Sequence, residues 1–267
     1  MSHKEPENLA SDRPYERKYP WWCLYCLVRV WGNVLFRALF RTRAYCRERV
    51  PERGAVILAS NHQSYLDPVL IGTHVLRPLC FLARESLFRV PLLGGLIRRL
   101  NAFPVRRGGA AARAALRTAE GILKSDQAVV LFPEGTRTVD GKMQPLKSGV
   151  YLIARRARCP VVPVLIVGAF EAWPRQRKVP WFSSIRMIFG EPIIIQEEDS
   201  SESFSAKLTD AYRRLASELG AERVLREGLG PGESSSPTLS TTLERSGCDS
   251  SRSAPALFFG ESAVGRL

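Results

Sequence analysis

The chain has 267 residues, 45% hydrophobic and 24% charged, enough apolar material for one large or two small packed domains and too much for a wholly disordered chain. Lys and Arg number 39 against 26 Asp and Glu, a formal net charge of +13, so an anionic partner is expected. The basic residues are spread along the chain, in pairs such as Arg98-Arg99 and Arg155-Arg156, with no basic arm and no zinc-finger spacing, which favours acidic membrane lipid over nucleic acid.

Residues 1–19 read as a polar extension, unlike a secretory signal. Residues 21–41 are apolar and about long enough to span a bilayer. Arg29 and Arg37 interrupt that run, each costing roughly 2.5–3.5 kcal/mol at a bilayer centre. Arg29, Asn33, Arg37 and Arg41 recur every four positions and form one slowly drifting stripe on a helix. Trp21, Trp22, Trp31, Phe36 and Phe40 lie mostly off it. The pattern predicts a membrane-associated helical segment over residues 20–45, lying in the interface rather than spanning. Docking on the protein's own core is the alternative placement. Cys23 and Cys26 form a C-x-x-C inside this apolar run, without a second pair. The six cysteines read as small apolar residues in a reducing compartment.

From residue 53 to about 190, strand-like and helix-like pieces alternate. AVILAS, LCFLA, NAFPV, AVVLF and VVPVLIVGA read as strands, with IRMIFG and PIII as later ones. LDPVLIGTHVL, GAAARAALRTAEGILKS, SGVYLIARRA and FSAKLTDAYRRLASELG read as helices, and ESLFRVPLLGGLIRRL as a helical or broken-helical piece. Such alternation predicts an α/β fold, a layered and mostly parallel sheet flanked by helices, over residues 46–228. Residues 229–267 are rich in Ser, Thr, Pro and Gly and read as a disordered tail.

Of the three histidines, His3 lies in the polar start and His74 inside an apolar helical pattern. His62 follows directly on a strand, in SNHQSYLDP, where α/β proteins expose their working residues. A turn between His62 and Asp67 would bring the carboxylate to one ring nitrogen and leave the other free to take a proton. A strand-end histidine capped by a nearby aspartate has the same spacing. The segment FPEGTRT, residues 132–138, also follows an apolar strand. There Gly135 permits close backbone approach, and Arg137 offers a planar fork of donors for a phosphate. Glu134 is placed to accept hydrogen bonds from substrate hydroxyls, and Thr136 offers a hydroxyl and a backbone N–H. A tight turn with a solvated Glu134–Arg137 ion pair is the alternative. In AFPVRRGG, Arg106 and Arg107 end a predicted strand as a candidate anion clamp.

Together these segments resemble the glycerophospholipid acyltransferases of the type that acylate lysophosphatidic acid. NHQSYLDP matches that family's N-H-x4-D motif, and FPEGTRT matches its F-P-E-G-T-R-[ST] motif in full. AFPVRRGG and VVPVLIVG, with Pro163, stand where the second and fourth motifs are expected. Arg107 is in register with the second motif's arginine, while Arg106 replaces the aspartate often found before it. The resemblance covers about residues 20–225, making 46–228 an acyltransferase domain.

It implies transfer from an acyl thioester, on coenzyme A or acyl carrier protein as co-substrate, to the hydroxyl of lysophosphatidic acid, giving phosphatidic acid in phospholipid biosynthesis. His62 would act as base with Asp67 holding its ring. Arg107 and Arg137, with Arg106 as accessory, would anchor the phosphate, and Glu134, Gly135 and Thr136 the glycerol part. No metal and no cofactor is expected. The partners would be membrane lipids, anionic ones especially, on the cytoplasmic side of a membrane with the protein peripheral or monotopic. Arg106 keeps other acceptors open, namely another lysophospholipid, an ornithine-type lipid or a glycolipid.

Overall fold

The structure, a computed structural model, describes residues 22–105 and 109–225. In chain order its elements are α1 (Trp22–Phe40), β1 (Arg43–Tyr45), β2 (Val56–Ser60), α2 (Asp67–His74), β3 (Leu79–Arg84), α3 (Leu93–Arg99), β4 (Ala102–Val105) and α4 (Gly109–Leu123). They continue with β5 (Ala128–Leu131), α5 (Gly149–Ala157), β6 (Val161–Val167), α6 (Ala169–Ala172), β7 (Arg186–Phe189) and α7 (Ser201–Glu218). Short 3-10 turns cover Arg47–Arg49, Glu85–Arg89 and Glu222–Val224.

The strands form one sheet in the order β1-β7-β6-β2-β5-β3-β4. Every neighbouring pair is parallel except β6 with β7. The fold is thus the expected α/β layered, mostly parallel sheet. β2 and β6 are buried along their whole length, which is why VILAS and VVPVLIV are unbroken apolar runs rather than alternating ones. Right-handed crossovers then assign the faces. The steps β2–α2–β3 and β3–α3–β4 move across the sheet in one direction, so α2 and α3 share a face. The steps β4–α4–β5 and β5–α5–β6 move the other way, so α4 and α5 share the opposite face.

The clearest departures from the expectation are at β1, PIII and the start of the last helix. β1 is a three-residue edge strand with no apolar signature, held by its pairing to β7 and by Arg43 N–H donating to the Ile185 carbonyl at 3.0 Å. PIII is not a strand. It keeps one antiparallel bridge, Val161 to Ile193, because Pro192 has no N–H to extend a ladder. The last helix begins at Ser201, before its apolar period starts, because the Ser200 hydroxyl caps it by accepting from Ser203 N–H at 3.1 Å.

α1 is the expected helix, and Cys23–Phe40 is long and apolar enough to cross a membrane by length and composition. One of its edges docks on the domain. The Tyr25 hydroxyl, buried, donates to the Arg77 carbonyl and accepts from Leu79 N–H, Asn33 Nδ2 donates to the Thr73 carbonyl, and Gly32 lies so close to Thr73 that a Cβ would sit 2.6 Å from Cγ2. The other edge points its apolar residues outward: Leu27, Val30, Trp31, Val34, Leu35 and Leu39 are exposed. Polar Asn33 faces the protein while apolar side chains face away, the reverse of a helix covering a soluble core. This hints at membrane association through α1.

Cys23, Cys26, Cys80 and Cys159 are free thiols, as read from the sequence. His74 is a core histidine bonded to the Leu70 carbonyl at 2.9 Å, and burial pushes its pKa down to about 4. The predicted extension 1–19 and tail 229–267 lie outside the described residues, as do Arg106 and Arg107.

Candidate active site

β2 and β5 are adjacent and parallel, so the loops leaving their carboxyl ends emerge side by side. One loop carries His62 and the other carries FPEGTRT. Crevices at this end of a parallel sheet are the usual ligand sites of the architecture.

The chain is pinned before it reaches His62. Asn61 is fully buried, and its side-chain amide pairs both ways with the Ile166 main chain of β6, each bond 2.8 Å. His62 then has both of its own main-chain groups held by FPEGTRT. Its N–H donates to Glu134 Oε1 at 2.7 Å, and its carbonyl accepts from Thr138 N–H at 2.8 Å. The two sequence motifs are therefore one physical unit.

Asp67 opens α2 and is completely buried. Its Oδ2 accepts three hydrogen bonds, from His62 Nδ1 at 2.8 Å and from the N–H groups of Gln63 and Ser64 at 2.7 Å each. Two main-chain donors keep the carboxylate in register. A carboxylate only accepts, so Nδ1 carries the proton in this contact and Nε2 presents its lone pair. Nε2 makes no hydrogen bond among the described residues, and the His62 side chain is 19% exposed. Phe132 stacks on the imidazole, with centroids 3.9 Å apart and planes at 17°, and fixes the ring's tilt.

Gly135 has φ +69° and sits against Lys147, whose Nζ would lie 2.8 Å from a Cβ there. Glycine meets both constraints at once. Thr136 is exposed, with its side chain toward solvent. Arg137 lies with Cζ 3.5 Å from the centroid of the Tyr65 ring, and Tyr65 in turn lies 5.5 Å from Trp173. Arg137 Nη1 is buried with no hydrogen-bond partner among the described residues. The Arg137 guanidinium, with help from Arg175 and Arg84, holds the Tyr65 phenol below its ordinary range. A positive field therefore surrounds Tyr65, three positions after His62.

Glu134 is 2% exposed. One oxygen holds His62 N–H and the other holds Gln144 N–H at 2.8 Å, so the carboxylate ties three loop segments together. Glu134→Gln places an NH2 against one of those donors. A buried unpaired donor costs about 1–3 kcal/mol, and a misplaced base costs kcat up to about 100-fold. The expected result is a loss of kcat of about 10- to 100-fold with a lower Tm and little change in KM. A rise in KM alone, at normal kcat and Tm, would point to a substrate-binding role instead.

Trp173, Arg84 and Arg175 carry no signal in the sequence and reach Tyr65 only through the fold. Tyr65 and Thr138 had a marker, since one lies inside the His62–Asp67 spacing and the other ends FPEGTRT.

The Acyltransferase family profile matches residues 41–167, which hold His62, Asp67 and Arg137. The chloroplastic 1-acyl-sn-glycerol-3-phosphate acyltransferase of Brassica napus is 26% identical over 197 residues, 73% of this chain and 56% of that protein. The 1-acyl-sn-glycerol-3-phosphate acyltransferase of Bacillus subtilis is 28% identical over 152 residues, 57% of this chain and 73% of that protein. The chain spans about half the length of the chloroplastic relatives it matches. Among solved structures, that of the 1-acyl-sn-glycerophosphate (LPA) acyltransferase PlsC from Thermotoga maritima superposes with a TM-score of 0.66 at 28% identity, covering 78% of this chain and 84% of that one. Residues 41–167 thus match an Acyltransferase domain, and the relatives and the shared fold liken this chain to the 1-acyl-sn-glycerol-3-phosphate acyltransferases.

Proposed function

We propose that this protein transfers a fatty acyl group from an acyl thioester to the free hydroxyl of lysophosphatidic acid, giving phosphatidic acid. The observation that carries the reading is His62, with Nδ1 tied to a buried carboxylate and Nε2 unbonded, beside an arginine whose guanidinium has a donor to spare. The names of the relatives support the choice of acceptor.

A hydroxyl is a weak nucleophile at neutral pH, and its proton must leave as it attacks. Nε2 of His62 takes that proton while the oxygen adds to the thioester carbon. Asp67 stabilises the imidazolium that forms. Collapse of the tetrahedral intermediate breaks the carbon–sulfur bond, and the proton returns from Nε2 to the departing thiolate. The enzyme needs no nucleophile of its own, because the acceptor supplies the oxygen. Arg137 holds the phosphate and makes the attack effectively intramolecular. Arg84 and Arg175 add to the field around it, and Arg107, with Arg106, would complete the clamp. The thioester is carried by coenzyme A or acyl carrier protein, and α1 holds the site at the cytoplasmic face of a membrane.

Release of free thiol from acyl-CoA on adding lysophosphatidic acid tests the activity directly. A panel with other lysophospholipids, an ornithine-type lipid and a glycolipid tests the acceptor; turnover with a phosphate-free acceptor alone would overturn it. Arg137→Ala is expected to raise KM for lysophosphatidic acid about 10- to 100-fold, the worth of a charged hydrogen bond. Tyr65→Leu removes the ring under that guanidinium and should raise KM by the equivalent of about 0.5–2 kcal/mol, with Tyr65→Phe close to wild type. An unchanged KM in Arg137→Ala would remove the phosphate role.

A further inference from the structure

Between β3 and β4 the chain makes a two-legged projection, the 3-10 turn Glu85–Arg89 followed by helix α3, Leu93–Arg99. Its tip is Leu92, 93% exposed with φ +63°. Left-handed backbone is costly for a branched L-residue, and an exposed leucine gains nothing from the fold. The strain is imposed by a hydrogen-bonded frame. Leu93 N–H donates to the Pro91 carbonyl at 2.7 Å, Gly94 N–H to Val90 at 2.9 Å and Leu96 N–H to Leu92 at 3.0 Å. Gly94 is packed so tightly on the first leg that a Cβ would lie 2.2 Å from the Phe88 carbonyl oxygen. The frame holds Leu92 out. Leu87, Val90, Leu93 and Leu96 are exposed around it.

We infer that this projection is a second membrane-docking element, inserting Leu92 and its apolar neighbours among the acyl chains of an anionic bilayer while flanking arginines meet the phosphates. Charge selects lipid as the occupant. Arg89 and Arg98 are exposed beside the apolar tip, Arg89 paired with Glu85 at 3.3 Å and Arg98 seated 5.1 Å over the Phe88 ring. Cationic residues around an apolar patch are the composition of interfacial membrane contacts. Placement selects lipid again. The crossover handedness puts α3 on the same face of the sheet as α2, and α1 packs on α2 with its apolar side outward. The projection also leaves the carboxyl end of β3, the end of the sheet at which His62 stands. Two contacts, α1 and the tip of the projection, would fix the tilt of the domain over the bilayer and turn that end toward the headgroups. The inference uses the proposed acceptor only for its purpose, since lipid contact is read independently of turnover.

The test uses the full chain with phosphatidylcholine vesicles, with and without phosphatidylglycerol, and with brominated acyl chains in either. Leu92→Trp is expected to gain a blue-shifted emission that brominated lipid quenches, relative to the parent protein, and only with the anionic vesicles. Hydrogen exchange at residues 86–97 of the unaltered protein should slow under the same conditions. Leu92→Gly relieves the backbone strain, so it is expected to raise Tm while lowering transfer to vesicle-embedded acceptor several-fold. Transfer to a dispersed short-chain acceptor should be unchanged. Vesicle-bound protein with unshifted emission and unprotected amides at 86–97 would overturn the inference. So would a blue shift without vesicles that follows self-association, which would mark a protein contact. Quenching without any thiol release would leave the docking surface standing and remove the proposed reaction instead.

Discussion

His62→Ala is expected to lower kcat by about a thousandfold or more while leaving the domain folded. The fold should survive because the loop is held through the main chain of residue 62, not its side chain. Glu134 still accepts from the N–H, and the carbonyl still accepts from Thr138. Asp67 keeps the N–H groups of Gln63 and Ser64, so its buried charge is not stranded. What goes is the base itself and a stacked contact with Phe132, an aromatic pair worth about 0.5–1.5 kcal/mol. Tm should therefore fall by only a few degrees. KM for the phosphorylated acceptor should hold, because Arg137 and Tyr65 are untouched. Thiol release at near the wild-type rate would sink the base assignment. A collapsed Tm would show that the ring matters for the fold, against the geometry.

The sheet was legible because its central strands are buried on both faces and so appear as unbroken apolar runs, as in VILAS and VVPVLIV. β1 was not, because an edge strand of sequence RAY carries no burial pattern and forms only when β7 offers an edge. His62 and Asp67 were legible because a five-residue turn can close them locally. Glu134 was legible as important, but its ties to the main chain were not. Its sequence neighbours Gly135 and Arg137 suggest a ligand loop, whereas its partners, His62 N–H and Gln144 N–H, are 72 and 10 positions away. Arg137 was legible as a donor, but its seat on Tyr65 depends on two loops meeting. α1 combines both readings: one edge docks on the domain, and the other presents the apolar surface expected at a membrane.

The sharper question at the site is what Asp67 supplies, and two substitutions separate its tasks. All three of its hydrogen bonds fall on Oδ2, and Oδ1 is buried without a partner among the described residues. In Asp67→Asn, the main-chain donors of Gln63 and Ser64 oblige the amide oxygen to take the Oδ2 position. The ring nitrogen Nδ1 then still finds an acceptor, so the tautomer and the turn are kept. The NH2 falls on the empty Oδ1 side, at about the 1–3 kcal/mol of a buried unsatisfied group. Only the negative charge opposite the forming imidazolium is lost. The expected result is a fall in kcat of about 10²- to 10³-fold with KM unchanged and a modest drop in Tm. Asp67→Ala removes the charge, the tautomer lock and the acceptor for two main-chain N–H groups together. It should lose about as much kcat as His62→Ala and considerably more Tm, because orphaned buried donors add to the cost. The order of the two variants is the test. Equal activity in Asp67→Asn and wild type would mean that the carboxylate only shapes the turn. Equal loss in both variants would mean that charge, rather than orientation, accounts for the whole contribution of Asp67.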